Sequence, residues 1–232
     1  MNRREMFGTL GAFGTGLGTL TCTADHVEQK DNHATPLSGG HAHFCGIHMA
    51  KNNPKFQIVT QHYCAAHSGG MFQCVLFDST GKDAKLLGIE YIISDEMYQK
   101  LPADEKKYWH VHTYEVLSGG LIAPGMEPAK EEEFMKMILT TWGKAWHTWP
   151  DPKTPVPMGE PLLIWSLTAD GQVDEALVAG RDKEFKIETA KIRERRITQI
   201  GSEPPKVSLP KDMNTLGRQW TDSGDDKPTP KK

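Results

Sequence analysis

The sequence predicts an α+β fold, a single domain in which a mainly antiparallel sheet carries a few covering helices. Three observations lead to this class. Apolar and polar residues alternate over residues 55–64, glycine turns separate several apolar stretches, and only a few segments have helical periodicity. Tight glycine turns join antiparallel neighbours, and a small number of helices covers one face of such a sheet.

The first half of the domain is expected to be mostly strand. Residues 55–64 form one strand, and the Ser-Gly-Gly turn at 68–70 joins it to a second strand over 71–77. Residues 86–93 are almost continuously apolar, which is typical of a central strand. A short helix follows over 95–101 because a serine precedes it and a proline ends it.

The second half mixes both kinds of element. Residues 109–117 are predicted to form another strand, and a Gly-Gly turn follows it. The remaining predicted elements are a short strand over 121–123, a helix that starts at Pro128 and continues through 130–141, strands over 144–149 and 161–168, and a charged amphipathic helix or helical pair over 183–200.

The chain begins with the features of an export signal. Arg3 and Arg4 precede a short glycine-rich apolar run over residues 7–20, which predicts a twin-arginine signal peptide over residues 1–24. The apolar run is too short for a stable membrane span. The expected location is therefore the periplasm or another exported compartment, and a lipid anchor at Cys22 is the alternative.

The rest of the chain divides into three regions. Residues 25–40 are polar and are predicted to be a linker, and residues 41–200 hold the α+β domain. Residues 201–232 are rich in proline and charge and are predicted to form a tail.

The composition excludes some classes of protein. The 232 residues carry a formal net charge of −3, so no basic field is available to hold nucleic acid. Four cysteines are too few for a disulfide-stapled scaffold of this length. In an oxidising compartment Cys45, Cys64 and Cys74 could form one disulfide and leave one thiol, and the sequence leaves the pairing open.

Histidine is the residue type that points most clearly to chemistry, since the chain has ten histidines against five tyrosines. His110 and His112 form a His-x-His pair, and on a strand their imidazoles share a face and can bind one metal ion. Glu115 is an odd number of positions from both and is expected to point away. The simpler interpretation of any single histidine is a core residue bonded to a backbone carbonyl.

Other residues extend this pair. His62 ends an apolar strand face, His147 lies between two tryptophans, and Glu90 lies inside an apolar strand. A carboxylate buried there must be paired, protonated or bound to a metal, because burying it unpaired is costly. His43, near the linker, is either a further ligand or a solvated residue.

Together these residues predict a transition-metal site for Zn, Cu or Fe, with His62, His110 and His112 as leading ligands. The complete candidate set is His43, His62, Glu90, His110, His112 and His147. An open coordination position would activate water or O2, making the protein a hydrolytic or oxidative metalloenzyme for an unidentified small molecule.

Several motifs of the domain resemble one known family. The motifs are His43-Phe44-Cys45, Gln61-His62-Tyr63, residues 73–79, Leu87-Gly88-Ile89-Glu90-Tyr91 and Trp109-His110-Val111-His112-Thr113-Tyr114-Glu115. Found in this order within residues 40–190, they make the chain similar to the oil-body-associated protein family, whose biochemical activity is not established. The resemblance implies that plant relatives associate with seed lipid droplets. It also implies that the family's histidine positions correspond by motif to His43, His62, His110 and His112.

The resemblance supplies an alternative function, that of a non-catalytic lipid-surface or ligand-binding protein. Such a protein should expose an apolar patch or an amphipathic helix. Residues 183–200 are the candidate helix, because the run Arg193-Glu194-Arg195-Arg196 would give it a basic face. The predicted export signal and the extra histidines His41, His48 and His67 depart from the family pattern.

Overall fold

A computed structural model describes residues 41–151, 153–156 and 158–200 of the chain. The predicted signal peptide over 1–24, the linker over 25–40 and the tail over 201–232 lie outside the described residues.

The architecture is dominated by antiparallel strands. In chain order they are β1 Ala42–Ala50, β2 Asn53–His67, β3 Met71–Phe77, β4 Leu86–Ile93, β5 His110–Val111, β6 Trp142–His147 and β7 Leu162–Ser166. Neighbours follow the order β4-β3-β2-β1-β7-β6, and an additional pairing of β4 with β6 closes these six strands into a barrel. The two-residue strand β5 pairs with β6 and stands outside the ring of six.

The prediction of an α+β fold with a helix-covered sheet is therefore wrong. The strands over 55–64, 71–77 and 86–93 were recognisable from local pattern, but barrel closure depends on β4 meeting β6, which no local pattern reveals. Gly88 helps to explain the closure, since a Cβ there would collide with the Trp146 carbonyl across the β4–β6 pair.

The helices are short and lie between the strands or after them. They are α1 Asp95–Gln99, α2 Ala103–Lys106, α3 Thr113–Leu117, α4 Pro128–Ile138, α5 Glu175–Phe185 and α6 Thr189–Gln199. Ser94 caps α1 by accepting a hydrogen bond from the Met97 backbone N–H, as expected for an N-cap serine. The predicted strand over 109–117 is wrong beyond Val111, because the chain turns into α3 after His112.

The strand register decides which side chains enter the barrel. Residues that pair across antiparallel strands project from the same face of the sheet. The register pairs Phe44 with His62, Cys74 with Glu90, and Gly88 with His147. Polar residues of β2, β4 and β6 thus share one interior face with core residues such as Phe44.

The cysteine pairing is also clear. Cys64 of β2 and Cys74 of β3 face each other in register and form a disulfide. Cys45 is a buried free cysteine, and burial raises the pKa of its thiol to about 12.

A transmembrane helix needs about 20 consecutive apolar residues. No helix in the described part of the chain meets the length and hydropathy of a membrane span.

Candidate metal centre

The barrel encloses a cluster of ionisable side chains that are all at most 4% exposed. Its members are His48, His62, Glu90, His110, His112 and His147, which we call the histidine cluster. It contains five of the six residues predicted for the metal site, and the sixth, His43, lies elsewhere. His48 belongs to the cluster but was not among the predicted ligands.

The carboxylate of Glu90 lies at the centre of the histidine cluster. Its Oε2 is 3.3 Å from His62 Nε2, and its Oε1 is 3.3 Å from His110 Nε2 and 3.5 Å from His112 Nε2. Burial raises the pKa of Glu90, but contacts with the three imidazoles outweigh it, so that the pKa lies well below its ordinary value. The carboxylate is therefore ionised, and its ion-pair partners in the described residues are imidazoles alone.

His110 and His112 reach Glu90 by different routes. His110 is held by strand β5, where it pairs with Gly143 of β6. His112 follows the end of that strand and precedes α3, with φ −84° and ψ −5°. The expected convergence of the two rings is thus found, although only His110 owes its position to a strand.

Gly143 makes room for this convergence. A Cβ at Gly143 would collide with Glu90 Oε1 and would lie 2.7 Å from His112 Nε2 and 2.8 Å from His110 Nε2. One carboxylate oxygen and two imidazole nitrogens are therefore directed at the same point beside the glycine. Glu90 Oε1 makes no hydrogen bond there even though it is buried, which leaves this oxygen available as a ligand.

Thr141 sets the ring orientation and tautomer of His112. The Thr141 hydroxyl donates to the Ile138 carbonyl at 2.7 Å, so its oxygen must accept from His112 Nδ1–H at 2.8 Å. His112 Nε2 therefore faces Glu90 with a lone pair or a second proton. Burial lowers the pKa of His112, but the contact with Glu90 raises it more, to above the ordinary value. A proton is thus held where a metal ion would bind.

A second group of imidazoles adjoins Glu90 on its other side. His62 Nδ1 donates to the Thr60 carbonyl at 3.1 Å, and its Nε2 lies 2.8 Å from His48 Nε2. His48 Nδ1 lies 3.0 Å from His147 Nε2. Burial lowers the pKa of His48 well below its ordinary value and that of His147 to about 4, so both are neutral, the form that binds metals.

Glu115 faces the cluster, and the prediction that it points away is wrong. It lies in α3 rather than on a strand, so strand parity does not apply to it. With His62, Glu90 and His112 it borders a cavity of about 20 Å³, which is enough for one water molecule. Burial raises the pKa of Glu115 to about 6.

His43 is the predicted site residue that lies apart from the cluster. It pairs in register with Tyr63 and stacks on that ring at 4.8 Å, and its Nε2 contacts Gln61 Oε1 at 2.9 Å. Sequence reasoning missed His48 instead. The available signal was its spacing from Phe44 and Ala50, which places all three on the same, inward face of β1.

Residues 34–199 match the family described as "Protein of unknown function (DUF1264)". Oil body-associated protein 1A of Zea mays is 35% identical over 72% of this chain and 71% of its own length. Oil body-associated protein 1B of Arabidopsis thaliana is 31% identical over 82% and 77%, and protein 2C of the same plant is 35% identical over 72% and 68%. No solved structure matches the chain significantly.

Proposed function

The chain belongs to the DUF1264 family, and on that premise we propose that it is a metal-binding protein whose centre is Glu90 with His110 and His112. The observation that carries the proposal is the convergence of three buried ligand atoms beside Gly143. Two imidazoles and one carboxylate are a ligand set typical of zinc and of non-haem iron. Zn and Fe therefore fit these donors better than Cu does.

The enclosure of the site limits what chemistry the metal could support. A neighbouring cavity of about 20 Å³ has room for one water molecule beside Glu90 and Glu115. A metal there would have an open position for water or dioxygen, which serves hydrolysis or oxidation. A reactant larger than these would require the barrel or its helices to move.

Metal analysis of the purified full-length chain tests the proposal. We expect at least one zinc or iron ion per chain after loading and removal of excess metal. The double variant His110→Ala/His112→Ala should lose one ion per chain, whereas His43→Ala, which alters a histidine outside the cluster, should lose none. Substoichiometric metal in the wild type, or unchanged metal in the double variant, would overturn the proposal.

Lipid-surface binding is a second candidate function, and a patch on the outer face of β4 favours it. Leu86, Ile89 and Tyr91 are 51%, 41% and 36% exposed, respectively, and the relatives are named for association with oil bodies. The basic face of α6 does not support this function, because Arg193 is paired with Asp170 and Arg196 is buried.

Export of the chain through a twin-arginine signal stays a prediction.

Flotation with phospholipid-coated triacylglycerol droplets tests this second function. If the patch binds lipid, the variant Ile89→Thr/Tyr91→Thr should float less than the wild type. Arg193→Gln is the matched control and should float as the wild type does. Equal flotation of the patch variant and the wild type would exclude binding through β4.

A further inference from the structure

Three imidazoles beside Glu90 Oε2 form a chain of four contacts, and each contact needs one hydrogen. Four contacts run from the Thr60 carbonyl through His62, His48 and His147 to the Pro150 carbonyl, at 3.1, 2.8, 3.0 and 3.4 Å. Both ends are carbonyl oxygens, which only accept. One N–H on each of the three imidazoles supplies three of these contacts and leaves the fourth one hydrogen short, with two lone pairs facing each other.

The shortage falls at the contact between His48 and His62. His147 Nδ1 donates to Pro150, so its Nε2 accepts and His48 Nδ1 must donate to it. His62 Nδ1 donates to Thr60. The two remaining lone pairs, on His48 Nε2 and His62 Nε2, then face each other at 2.8 Å. Either a proton or a metal ion between these two nitrogens makes the contact favourable.

We propose, building on the proposed function, that a second metal ion binds between His48 Nε2, His62 Nε2 and Glu90 Oε2. These three atoms form a compact group of possible ligands, and Oε2 lies 3.3 Å from His62 Nε2. Glu90 then bridges two ions, because its Oε1 faces His110 and His112. Each ion receives two imidazole nitrogens and one carboxylate oxygen.

The surroundings of the second site support this assignment. Metal-bound histidines usually donate their other ring N–H to an acceptor, which fixes the ring. His48 Nδ1 has His147 Nε2 as its acceptor, and His62 Nδ1 has the Thr60 carbonyl. His147 is therefore a positioning residue here rather than a ligand. Glu115, buried at the same cavity, can supply further negative charge for two divalent ions.

Metal stoichiometry separates this inference from the proposed function. The full-length chain is loaded with Zn²⁺, freed of excess metal by gel filtration and analysed by mass spectrometry. We expect two ions per chain in the wild type and in His43→Ala, and one in His48→Gln and in His110→Ala/His112→Ala. One ion in the wild type that is retained in His48→Gln and lost in His110→Ala/His112→Ala, or two ions in His48→Gln, overturns the second site and leaves the proposed function intact. No ion in the wild type overturns both.

X-ray absorption of the zinc-loaded wild type keeps the inference testable if His48→Gln fails to fold. Two metals bridged in this way lie about 3.5–4 Å apart. We therefore expect a metal–metal scattering contribution at this distance, together with imidazole ligation. A single-ion spectrum without it would mean that a proton, not a metal ion, joins His48 to His62.

Discussion

Glu90 and Glu131 are both buried carboxylates, but their surroundings differ in one decisive respect. Glu131 pairs through Oε1 with Arg196 and through Oε2 with Arg195. The ion-pair partners of Glu90 among the described residues are imidazoles alone, and its Oε1 makes no hydrogen bond. A guanidinium keeps its charge at any ordinary pH, whereas an imidazole can lose its proton.

The Glu131 cluster has the composition of a structural ion pair, whereas the Glu90 cluster has that of a ligand-binding site. Arg196 also donates to the carbonyls of Val116 and Leu121, so the Glu131 pair ties α6 to α4 and to the end of α3. Such a cluster is complete without a ligand. The Glu90 cluster has a carboxylate and several neutral imidazoles, and no arginine or lysine pairs with Glu90 in the part of the chain that the structure describes. This is the composition of a metal site.

The largest effect is expected from removing the charge of Glu131. Glu131→Gln leaves the buried Arg196 guanidinium without a counter-charge, and breaking such a pair costs about 3–5 kcal/mol. Urea unfolding at pH 7 measures the loss. Lys136→Ala on the same helix is the control, because its exposed pair with Glu132 contributes only about 0.3–0.5 kcal/mol. Equal losses in the two variants would remove the contrast with Glu90.

Glu115 sharpens the comparison because this buried carboxylate forms no ion pair with an arginine or a lysine among the described residues. Burial raises its pKa from 4.5 to about 6, so the folded metal-free protein binds a proton that the unfolded chain releases between these pH values. Protonated Glu115 contributes fully to the free energy of unfolding below about pH 4.5. This contribution is lost as the pH rises through about 6, where the buried carboxyl ionises. We expect Glu115→Gln to be more stable than the wild type by about 2 kcal/mol at pH 7.

Unfolding curves of the metal-free proteins at pH 4.5 and pH 7 check this result. The advantage of Glu115→Gln should grow between the two values. Glu96→Gln provides the control because Glu96 is exposed on α1. A constant difference over this range would contradict the raised pKa.

Thr141 should affect metal binding rather than stability alone. Thr141→Val removes the acceptor for His112 Nδ1–H, and loss of such an orienting bond weakens metal affinity at least about tenfold. Titration calorimetry with Zn²⁺ measures the affinity. Thr141→Ser retains the hydroxyl and should bind as the wild type does. Wild-type affinity in Thr141→Val would show that His112 is not a ligand.

Much of this cluster could be predicted from the sequence, but not its full geometry. Glu90 was recognisable because it interrupts an apolar strand, and His62 because it continues an apolar face. Residue order alone does not show that β4 pairs with β6, so the barrel and the approach of His147 to His48 were not predictable. The buried pair of Glu131 could not be predicted for the same reason. Its Glu-Glu-Glu run is typical of a solvated helix start, and its partner Arg196 lies 65 residues away.

The smallest loss of stability is expected when Glu90, like Glu131 above, is replaced by glutamine. Glu90→Gln in the metal-free protein removes the partner of a protonated His112, which can respond by losing its proton. The pair contributes stability below the ordinary histidine pKa, and this stability is lost as pH rises through the raised pKa of His112. The cost of Glu90→Gln should therefore fall with pH, to below about 1 kcal/mol at pH 9, where that of Glu131→Gln remains large. Urea unfolding of both variants at pH 6 and pH 9 measures the two trends, and a pH-independent cost at Glu90 would mean that its partners keep their charge as arginines do.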